Sequence, residues 1–316
     1  LIPMCVLNEV KGMKLNMKIS IITSTYNRRD LLPRLKDSIF ENALDYSNIE
    51  WLIMDDGSSI SVEDLVEMWK EEATFPITFY KQENQGKMAA LNHLIPHISG
   101  DIVIEMDDDD YFMPHVFRMI VEDYEKIKDQ EQIYGVIYEK ELTEHNQKIP
   151  VHLDGKVKKL YDLHYRENAD FDMVLTFKAT YRKQFQYKLE HGERFSTEAR
   201  MYYQMDEKKA GLLIHTTPIM ICEYQETGYT KGLKNIFKKN PYGYFEFFKE
   251  ALNYNMKGVK FSRRFYLIKH YILFTYLTKR TFKEASKYIS GWNQFLFTCF
   301  YLPGKIASKK RFGDHK

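Results

Sequence analysis

The sequence predicts an α/β protein with a mostly parallel central sheet flanked by helices, followed by a helical extension at the carboxyl end. Three observations indicate this architecture. Short apolar runs alternate with amphipathic segments between residues 17 and 126, acidic clusters directly follow two of those runs, and basic and aromatic residues concentrate beyond residue 226.

The strands and helices follow from the local patterns in chain order. A first strand is predicted at 19–24, because this run is β-branched and almost wholly apolar, as a strand buried on both faces should be. A helix follows at 30–40, with Pro33 in the first turn, where its missing amide hydrogen is tolerated. The same alternation predicts strands at 49–54, 77–81 and 101–106 and helices at 62–70, 87–95 and 116–126. Strand-helix-strand units of about 30 residues imply parallel strands with right-handed crossovers.

The acidic clusters come where predicted strands end. Asp55 and Asp56 follow the second strand, and 107–110 is a run of four aspartates after the fourth strand. Ligands bind at this edge of open parallel sheets, because the loops there converge over a crevice. Adjacent carboxylates repel one another unless a cation neutralises them, and carboxylate oxygens suit Mg²⁺ and Mn²⁺. Asp107 and Asp109 are therefore candidate ligands of a divalent metal.

Composition excludes several classes of protein. Of the 316 residues, 44% are apolar and 28% charged, which is typical of a folded globular chain. Cys5, Cys222 and Cys299 are too few and too widely spaced for a disulfide framework or a cysteine zinc site, so we expect a reducing compartment. No apolar run reaches the length of a membrane-spanning helix. Residues 1–16 are interpreted as an extension or tag.

The net charge of +2 conceals two unlike parts of the chain. Residues 227–316 hold 19 Lys and Arg against 4 Asp and Glu, together with 22 of the 47 aromatic residues. Residues 1–226 hold 27 Lys and Arg against 40 Asp and Glu. The composition therefore predicts a boundary near residue 226.

Three motifs in one order resemble family 2 glycosyltransferases, whose Rossmann-like fold is called GT-A. They are 19–28, which includes Thr25-Tyr26-Asn27, then 54–58, which includes Asp55-Asp56, and then 105–110, with Pro114 following. We expect a catalytic domain at 17–226, in which the resemblance implies that 17–115 bind the nucleotide-sugar and 116–226 the acceptor, followed by the basic aromatic helical region at 227–316 that the composition predicts. It also implies inverting transfer of a hexose or N-acetylhexosamine from a UDP-sugar to a hydroxyl of a glycan, with Mn²⁺ or Mg²⁺, in bacterial surface polysaccharide or glycan biosynthesis.

The resemblance also assigns roles to single residues. It implies nucleotide contacts for Thr25, Tyr26, Asn27, Asp56, Lys87, Asp107 and Asp108, and metal coordination by Asp109 and Asp107. In this assignment Asp56 accepts a hydrogen bond from uracil, and Lys87 reaches the base or the phosphates from the start of a helix. From the residues alone, Asn27 could also cap the following helix, and Asp55 could contact the nucleotide or support the turn at Gly57.

An inverting transfer also requires a general base for the attacking hydroxyl. Residues 191–198 resemble the family's late acidic segment, before a helix predicted at 199–207, so Glu198 is the first candidate and Glu193 the second. Ala199 stands where the family has a second acid, which leaves open a catalytically degenerate member acting as a nucleotide- or glycan-binding partner subunit. Residues 222–230 resemble a segment that folds over the donor, and a strand with a turn is the alternative there.

Rival enzyme classes are disfavoured by missing motifs. Sugar nucleotidyltransferases depend on a glycine-rich loop after the first strand, and residues 18–56 contain no glycine. Hydrolase and phosphate-loop signatures are also absent from the sequence.

The composition of residues 257–304 predicts a membrane partner. Residues 257–287 interleave basic and aromatic side chains, and 288–304 carry no charge. This pattern is typical of helices in the headgroup plane, so we expect 257–304 to attach a cytoplasmic protein to the anionic inner face of the cell membrane, where a lipid-linked glycan acceptor would be presented. Packing on the catalytic domain, or an oligomer interface, is the alternative. Nucleic acid is not an expected partner, because nucleic-acid binding leaves the aspartate motifs unexplained.

Overall fold

A computed structural model describes residues 15–142, 148–167, 169, 171–222 and 233–313. The strands are β1 (Ile19–Thr25), β2 (Ile49–Asp55), β3 (Ile77–Lys81), β4 (Ile102–Glu105), β5 (Asp110–Phe112), β6 (Ile133–Leu142), β7 (Val157–Lys158), β8 (Met173–Lys178) and β9 (Gly211–Cys222). The helices are α1 (Leu32–Asp45), α2 (Glu63–Glu72), α3 (Lys87–Leu94), α4 (Val116–Ile127), α5 (Leu160–Asp162), α6 (Ala179–Arg182), α7 (Glu198–Lys208), α8 (Leu233–Lys239), α9 (Pro241–Asn253), α10 (Phe261–Leu277), α11 (Phe282–Ser286) and α12 (Gly291–Phe312). Short 3-10 turns lie at Ile95–His97 and Val151–Leu153, and a π-helical turn at Leu163–Glu167.

The described strands form one mixed sheet. Its order is β3-β2-β1-β4-β8-β6-β9-β5, with β7 paired to β9. The first four strands of the chain, β1 to β4, pair in parallel, whereas β8 runs antiparallel between β4 and β6. The predicted α/β class is confirmed, including the crossover helices between parallel strands. The register sets Thr25 beside Asp55, so the carboxyl ends of β1 and β2 meet at one edge.

The sheet separates two layers of apolar packing. Successive strand residues point to opposite faces, so Ile21 packs with α1, α2 and α4, whereas Ile22 packs with α3, α7 and helices of the carboxyl end. Trp51 is completely buried in the first layer, where its ring stacks on Trp69 at 5.7 Å and its Nε1 donates to Thr23 Oγ1 at 3.1 Å. A rigid sheet therefore carries the loops at its edge.

The helices α9, α10 and α12 complete the second layer. Phe245, Tyr271, Phe274 and Phe297 are buried in the same cluster as Ile22 of the sheet. The expectation that the rings of 257–287 face a membrane is therefore wrong for Tyr271 and Phe274, which are completely buried. Among the described residues, no helix combines the length and the apolar character needed to cross a bilayer.

Candidate active site

The loops after β1 and β2 are tied together by Asn27. Its backbone has a φ of 54°, its N–H donates to Ser58 Oγ at 2.9 Å, and its Oδ1 accepts from the Ser59 N–H at 2.8 Å. The possibility that Asn27 caps the next helix is wrong, because the residue before α1 is Leu31. The side chain instead fixes the spacing of two loops at the sheet edge.

Thr25 and Tyr26 differ in exposure at the end of β1. Thr25 is 2% exposed and lies beside the Asp108 carboxyl, whereas Tyr26 is 47% exposed. An exposed aromatic ring beside a strand end offers a surface on which a base or ribose can pack.

The two aspartates after β2 have different partners. Asp55 is completely buried and accepts hydrogen bonds from the Ser58 N–H at 2.8 Å and the Ser61 hydroxyl at 3.1 Å, so it supports the turn at Gly57. Asp56 is 2% exposed and organises the loop after β3. It accepts from Gln82 Nε2 at 2.7 Å and from the N–H groups of Gln85 at 2.9 Å and Gly86 at 2.8 Å. A carboxylate has about four lone-pair positions, so one remains for a ligand N–H.

The aspartate run after β4 divides into one structural residue and three converging residues. Asp108 points to Arg28, whose Nη1 lies 2.9 Å from Asp108 and 2.8 Å from Asp109. Burial raises the pKa of Asp108 to about 6, although Arg28 favours the charged form. Carboxylate oxygens of Asp107, Asp109 and Asp110 lie within 4.8 Å of one another. Sequence reasoning proposed Asp107 and Asp109 as ligands and missed Asp110.

The converging carboxylates fit a divalent metal. Three hard oxygen donors at the exposed end of a buried strand suit Mg²⁺ or Mn²⁺ and leave coordination positions for other oxygens. The Oδ1 atom of Asp110 is buried and makes no hydrogen bond within the described part of the chain, so it has a lone pair to offer. Lys140 contacts the other oxygen of this carboxyl at 2.7 Å, and burial still raises the pKa of Asp110.

Lys87 joins the aspartate cluster to the predicted base. Its Nζ lies 2.6 Å from Asp107 Oδ1 and 2.8 Å from Glu198 Oε1. Burial disfavours the charged form of Lys87, but these two carboxylates raise its pKa well above the ordinary value. Burial raises the pKa of Asp107, whereas the positive charges of Lys87 and Lys140 lower it. The cations prevail and hold the pKa of Asp107 below its ordinary value. A protonated lysine therefore bridges the two acidic groups.

The position of Lys87 depends on the glycine before it. Gly86 has a φ of 93°, and a Cβ there would lie 2.1 Å from the carbonyl oxygen of Arg194. Glycine thus allows the start of α3 to approach the segment that precedes Glu198. Glu198 itself is the first residue of α7.

Glu105 and Arg182 form a buried cluster with Tyr187 and Tyr202 that the sequence did not predict. Glu105, at the end of β4, accepts from Arg182 Nε at 2.5 Å and from the Tyr187 hydroxyl at 2.5 Å. The Tyr187 oxygen lies 3.5 Å from the Tyr202 oxygen, and burial raises the pKa of both phenols well above the ordinary value. Glu105 stood in the third motif, but no local pattern marks Arg182 or Tyr187. These groups hold the end of β4 against the segment before α7.

The segment that leads to Glu198 is anchored on the carboxyl-terminal helices. Glu193, the second candidate for the base, accepts from the N–H groups of Tyr242 and Gly243, both at 2.7 Å, at the start of α9. Both of its carboxylate oxygens are therefore engaged in holding a helix end. Asn240 Oδ1 accepts from the N–H groups of Arg194 at 3.2 Å and Phe195 at 3.1 Å.

A second anchor lies in the first turn of α7. Arg200 is 4% exposed and contacts Glu190 at 2.8 Å and Glu250 of α9 at 2.8 Å. The resemblance of 222–230 to a donor-covering segment cannot be compared with geometry beyond Cys222, because 223–232 lie outside the described residues.

The fold agrees with the comparisons with known proteins. The sequence profile of glycosyl transferase family 2 matches residues 20–187, more than half of the chain. The chain therefore belongs to glycosyltransferase family 2, and the sheet with its helices is the GT-A fold.

Individual relatives are distant. An uncharacterized glycosyltransferase of Nostoc sp. is 33% identical over 132 residues, which are 42% of this chain and 39% of that protein. The chain thus matches about two fifths of that relative's length. The putative colanic acid biosynthesis glycosyl transferase WcaA of Escherichia coli is 26% identical over 240 residues, which are 75% of this chain and 82% of that protein.

A solved structure resembles the whole fold. The crystal structure of Staphylococcus aureus TarS residues 1–349 in complex with UDP-GlcNAc has a TM-score of 0.56 at 11% identity. The alignment covers 93% of this chain and 92% of that chain, so the resemblance in fold includes the carboxyl-terminal helices.

Proposed function

We propose that the protein is an inverting, metal-dependent glycosyltransferase that moves a hexose or N-acetylhexosamine from a UDP-sugar to a hydroxyl of a glycan acceptor. One observation carries this proposal. The carboxylates of Asp107, Asp109 and Asp110 converge at the sheet edge, and Lys87 connects this cluster to Glu198. A donor-binding group and a candidate base therefore occupy one site.

The donor end of the reaction uses the sheet edge. The exposed Tyr26 ring packs against the base or ribose, and the remaining lone pair of Asp56 accepts the uracil N–H. Asp107, Asp109 and Asp110 hold Mn²⁺ or Mg²⁺, which supplies Lewis-acid stabilisation of the diphosphate leaving group. Lys87 adds a fixed positive charge on the same side.

The acceptor end uses Glu198. Its carboxylate takes the proton from the acceptor hydroxyl as that oxygen attacks the anomeric carbon from the face opposite the diphosphate. Its place at the start of α7 and its contact with Lys87 keep the carboxylate oriented. The anchoring contacts of Glu193 and Arg200 limit the movement of the segment that carries it.

The acceptor class is proposed from relatives and from surface chemistry. The E. coli relative is named for colanic acid biosynthesis, which supports a bacterial surface polysaccharide as the product. We place the enzyme at the cytoplasmic face of the membrane with a lipid-linked acceptor, because the basic carboxyl-terminal region suits an anionic surface.

The experiment is release of nucleoside diphosphate from a panel of UDP- and GDP-sugars, with and without Mn²⁺. Slow transfer to water reports the donor even when the acceptor is unknown. Metal-dependent release of UDP from one sugar, abolished in Asp109→Ala, is the expected result. Binding of UDP-sugars without turnover, in the presence of surface glycan extracts, would favour the partner-subunit alternative. Turnover of GDP-sugars alone would overturn the uracil assignment of Asp56.

A further inference from the structure

Helix α12 presents an apolar stripe to the outside of the molecule. Trp292, Phe295, Leu302 and Ile306 are 54%, 53%, 69% and 69% exposed, and Cys299 between them is exposed. Their spacing alternates between three and four residues, which places all five side chains on one face of the helix. Exposed apolar side chains in such a row mark an interaction surface rather than scattered surface residues.

The opposite face of α12 fixes this stripe in place. Leu296, Phe297 and Tyr301 are buried against the rest of the carboxyl-terminal helices. Gly304 allows a close approach to α10, because a Cβ there would lie 2.9 Å from Cγ2 of Ile272. The stripe is therefore preformed on the folded protein.

The charge along α12 and just before it has one sign. Residues 285–313 contain five Lys and Arg and no Asp or Glu. Exposed Lys309 and Lys310 follow Ile306 by three and four positions, so they continue the same face, and exposed Lys305 lies at its edge. A second copy of the helix packed in the same direction would bring these lysines together, whereas helices that pair through apolar stripes commonly flank them with opposite charges. An anionic surface is complementary to the positive charge at this end of the helix.

We propose that the outward face of α12, defined by Trp292, Phe295, Cys299, Leu302 and Ile306, docks the protein on an anionic lipid bilayer. The apolar side chains enter the boundary between headgroups and acyl chains, and the lysines at the carboxyl end of the helix contact lipid phosphates. The stacked rings of Trp292 and Phe295, whose centroids are 4.9 Å apart, lie at the depth that aromatic side chains favour. This surface lies in the carboxyl-terminal part of the region 257–304 expected from the sequence and continues to Ile306, whereas Tyr271 and Phe274 of α10 belong to the core.

The proposal specifies a partner surface and does not depend on catalysis, so it is tested without donor or acceptor. The full chain is mixed with two kinds of vesicle, one of phosphatidylcholine alone and one of phosphatidylcholine and phosphatidylglycerol at about 2:1. Bound protein is then separated by flotation. The test variant is Phe295→Glu with Leu302→Glu. The matched control is Leu44→Glu with Val151→Glu, because these apolar residues are 86% and 81% exposed elsewhere on the protein.

The wild type and the control should float with the anionic vesicles, and the test variant should bind at least about tenfold more weakly. Binding should also weaken in high salt, because the lysine contacts are screened. Equal binding of the test variant and the control would overturn the proposal, as would a wild type that does not float. A wild-type dimer that the test variant converts to monomer, without vesicle binding by either, would assign the stripe to a second copy instead. Circular dichroism of each variant verifies that it is folded before flotation is compared.

Discussion

Replacing Lys87 with methionine removes the cation that joins the metal-binding cluster to the candidate base. Methionine keeps the length and much of the volume of the side chain, so the change acts mainly on charge. The lost contacts are 2.6 Å to Asp107 and 2.8 Å to Glu198. We expect slower turnover, because Glu198 loses the group that orients it.

The magnitude follows from the contact with Glu198. A hydrogen bond to a charged group contributes about 1.5–3 kcal/mol, and the lower end applies here because solvent screens part of each interaction. The side chains of Asp107 and Glu198 are 43% and 38% exposed. Loss of the Glu198 contact thus corresponds to about 1.5 kcal/mol, or roughly a tenfold decrease in kcat/KM.

The same substitution should strengthen metal binding. Lys87 competes with a divalent cation for the Asp107 carboxylate, so the Mn²⁺ concentration for half-maximal activity should fall in Lys87→Met. A lower kcat/KM combined with a higher Mn²⁺ affinity distinguishes a bridging cation from a residue that only binds donor phosphates.

The assay is UDP release measured over a Mn²⁺ titration, for the wild type, Lys87→Met and the control Lys81→Met. Lys81 is exposed at the end of β3 and should tolerate the change. Thermal unfolding of each protein verifies the fold. Wild-type kcat/KM and wild-type Mn²⁺ dependence in a folded Lys87→Met variant would refute the reasoning.

Three further predictions concern single buried groups. Asp110→Asn should lower Mn²⁺ affinity at least about tenfold, because a buried oxygen donor loses its charge; a Mn²⁺ titration followed by electron paramagnetic resonance measures this, and unchanged affinity would remove Asp110 from the site. Arg200→Met should lower the free energy of unfolding by about 3 kcal/mol, because Glu190 and Glu250 lose their partner. The control Arg194→Met should change it by less than about 1 kcal/mol. Urea denaturation compares the two variants, and equal effects would contradict the anchoring role of Arg200. Burial raises the pKa of Asp206 from 3.8 to about 6, so the folded state holds this proton more tightly than the unfolded state, and the resulting stability is present below pH 3.8 and lost as the pH rises through 6. Asp206→Asn should remove this pH-dependent loss, so the free energy of unfolding of the variant minus that of the wild type should rise by about 3 kcal/mol from acidic to neutral pH. A difference that stays constant with pH would contradict the assignment.

The sheet edge was predictable because its signals are local. Each aspartate cluster directly follows an apolar run in the sequence, and parallel pairing necessarily gathers the ends of β1, β2 and β4. Asp110 was not predicted as a ligand, because its position in the aspartate run does not reveal which way its side chain points. That direction follows from β5, a strand of only three residues that pairs with β9 over one hundred residues later.

The contacts behind the site were not predictable because their members are far apart in the chain. Lys87 and Glu198 are separated by 111 residues, and Arg182 and Glu105 by 77. Each of these residues alone resembles an ordinary surface charge. Only the packing of α7 and α6 against the sheet brings the partners together.

The carboxyl-terminal region shows a different limit. Interleaved aromatic and basic residues suit a membrane-surface helix and equally suit a core helix whose charges reach the solvent. In α10 the second arrangement is found, because Tyr271 stacks on Phe245 at 5.1 Å and Phe274 stacks on Phe248 at 5.5 Å. The partner rings on α9, rather than the pattern within α10, decide the outcome.

The most direct test of the account compares binding and turnover in Glu198→Gln. Glutamine keeps the shape of the side chain and can still accept a hydrogen bond from Lys87, but it is not a base at neutral pH. UDP affinity in the presence of Mn²⁺ is measured by calorimetry, and turnover by release of UDP from the UDP-sugar as the sugar is transferred. The account predicts nearly wild-type UDP affinity with turnover reduced at least about 100-fold. Wild-type turnover in this variant would contradict the assignment of Glu198 as the general base.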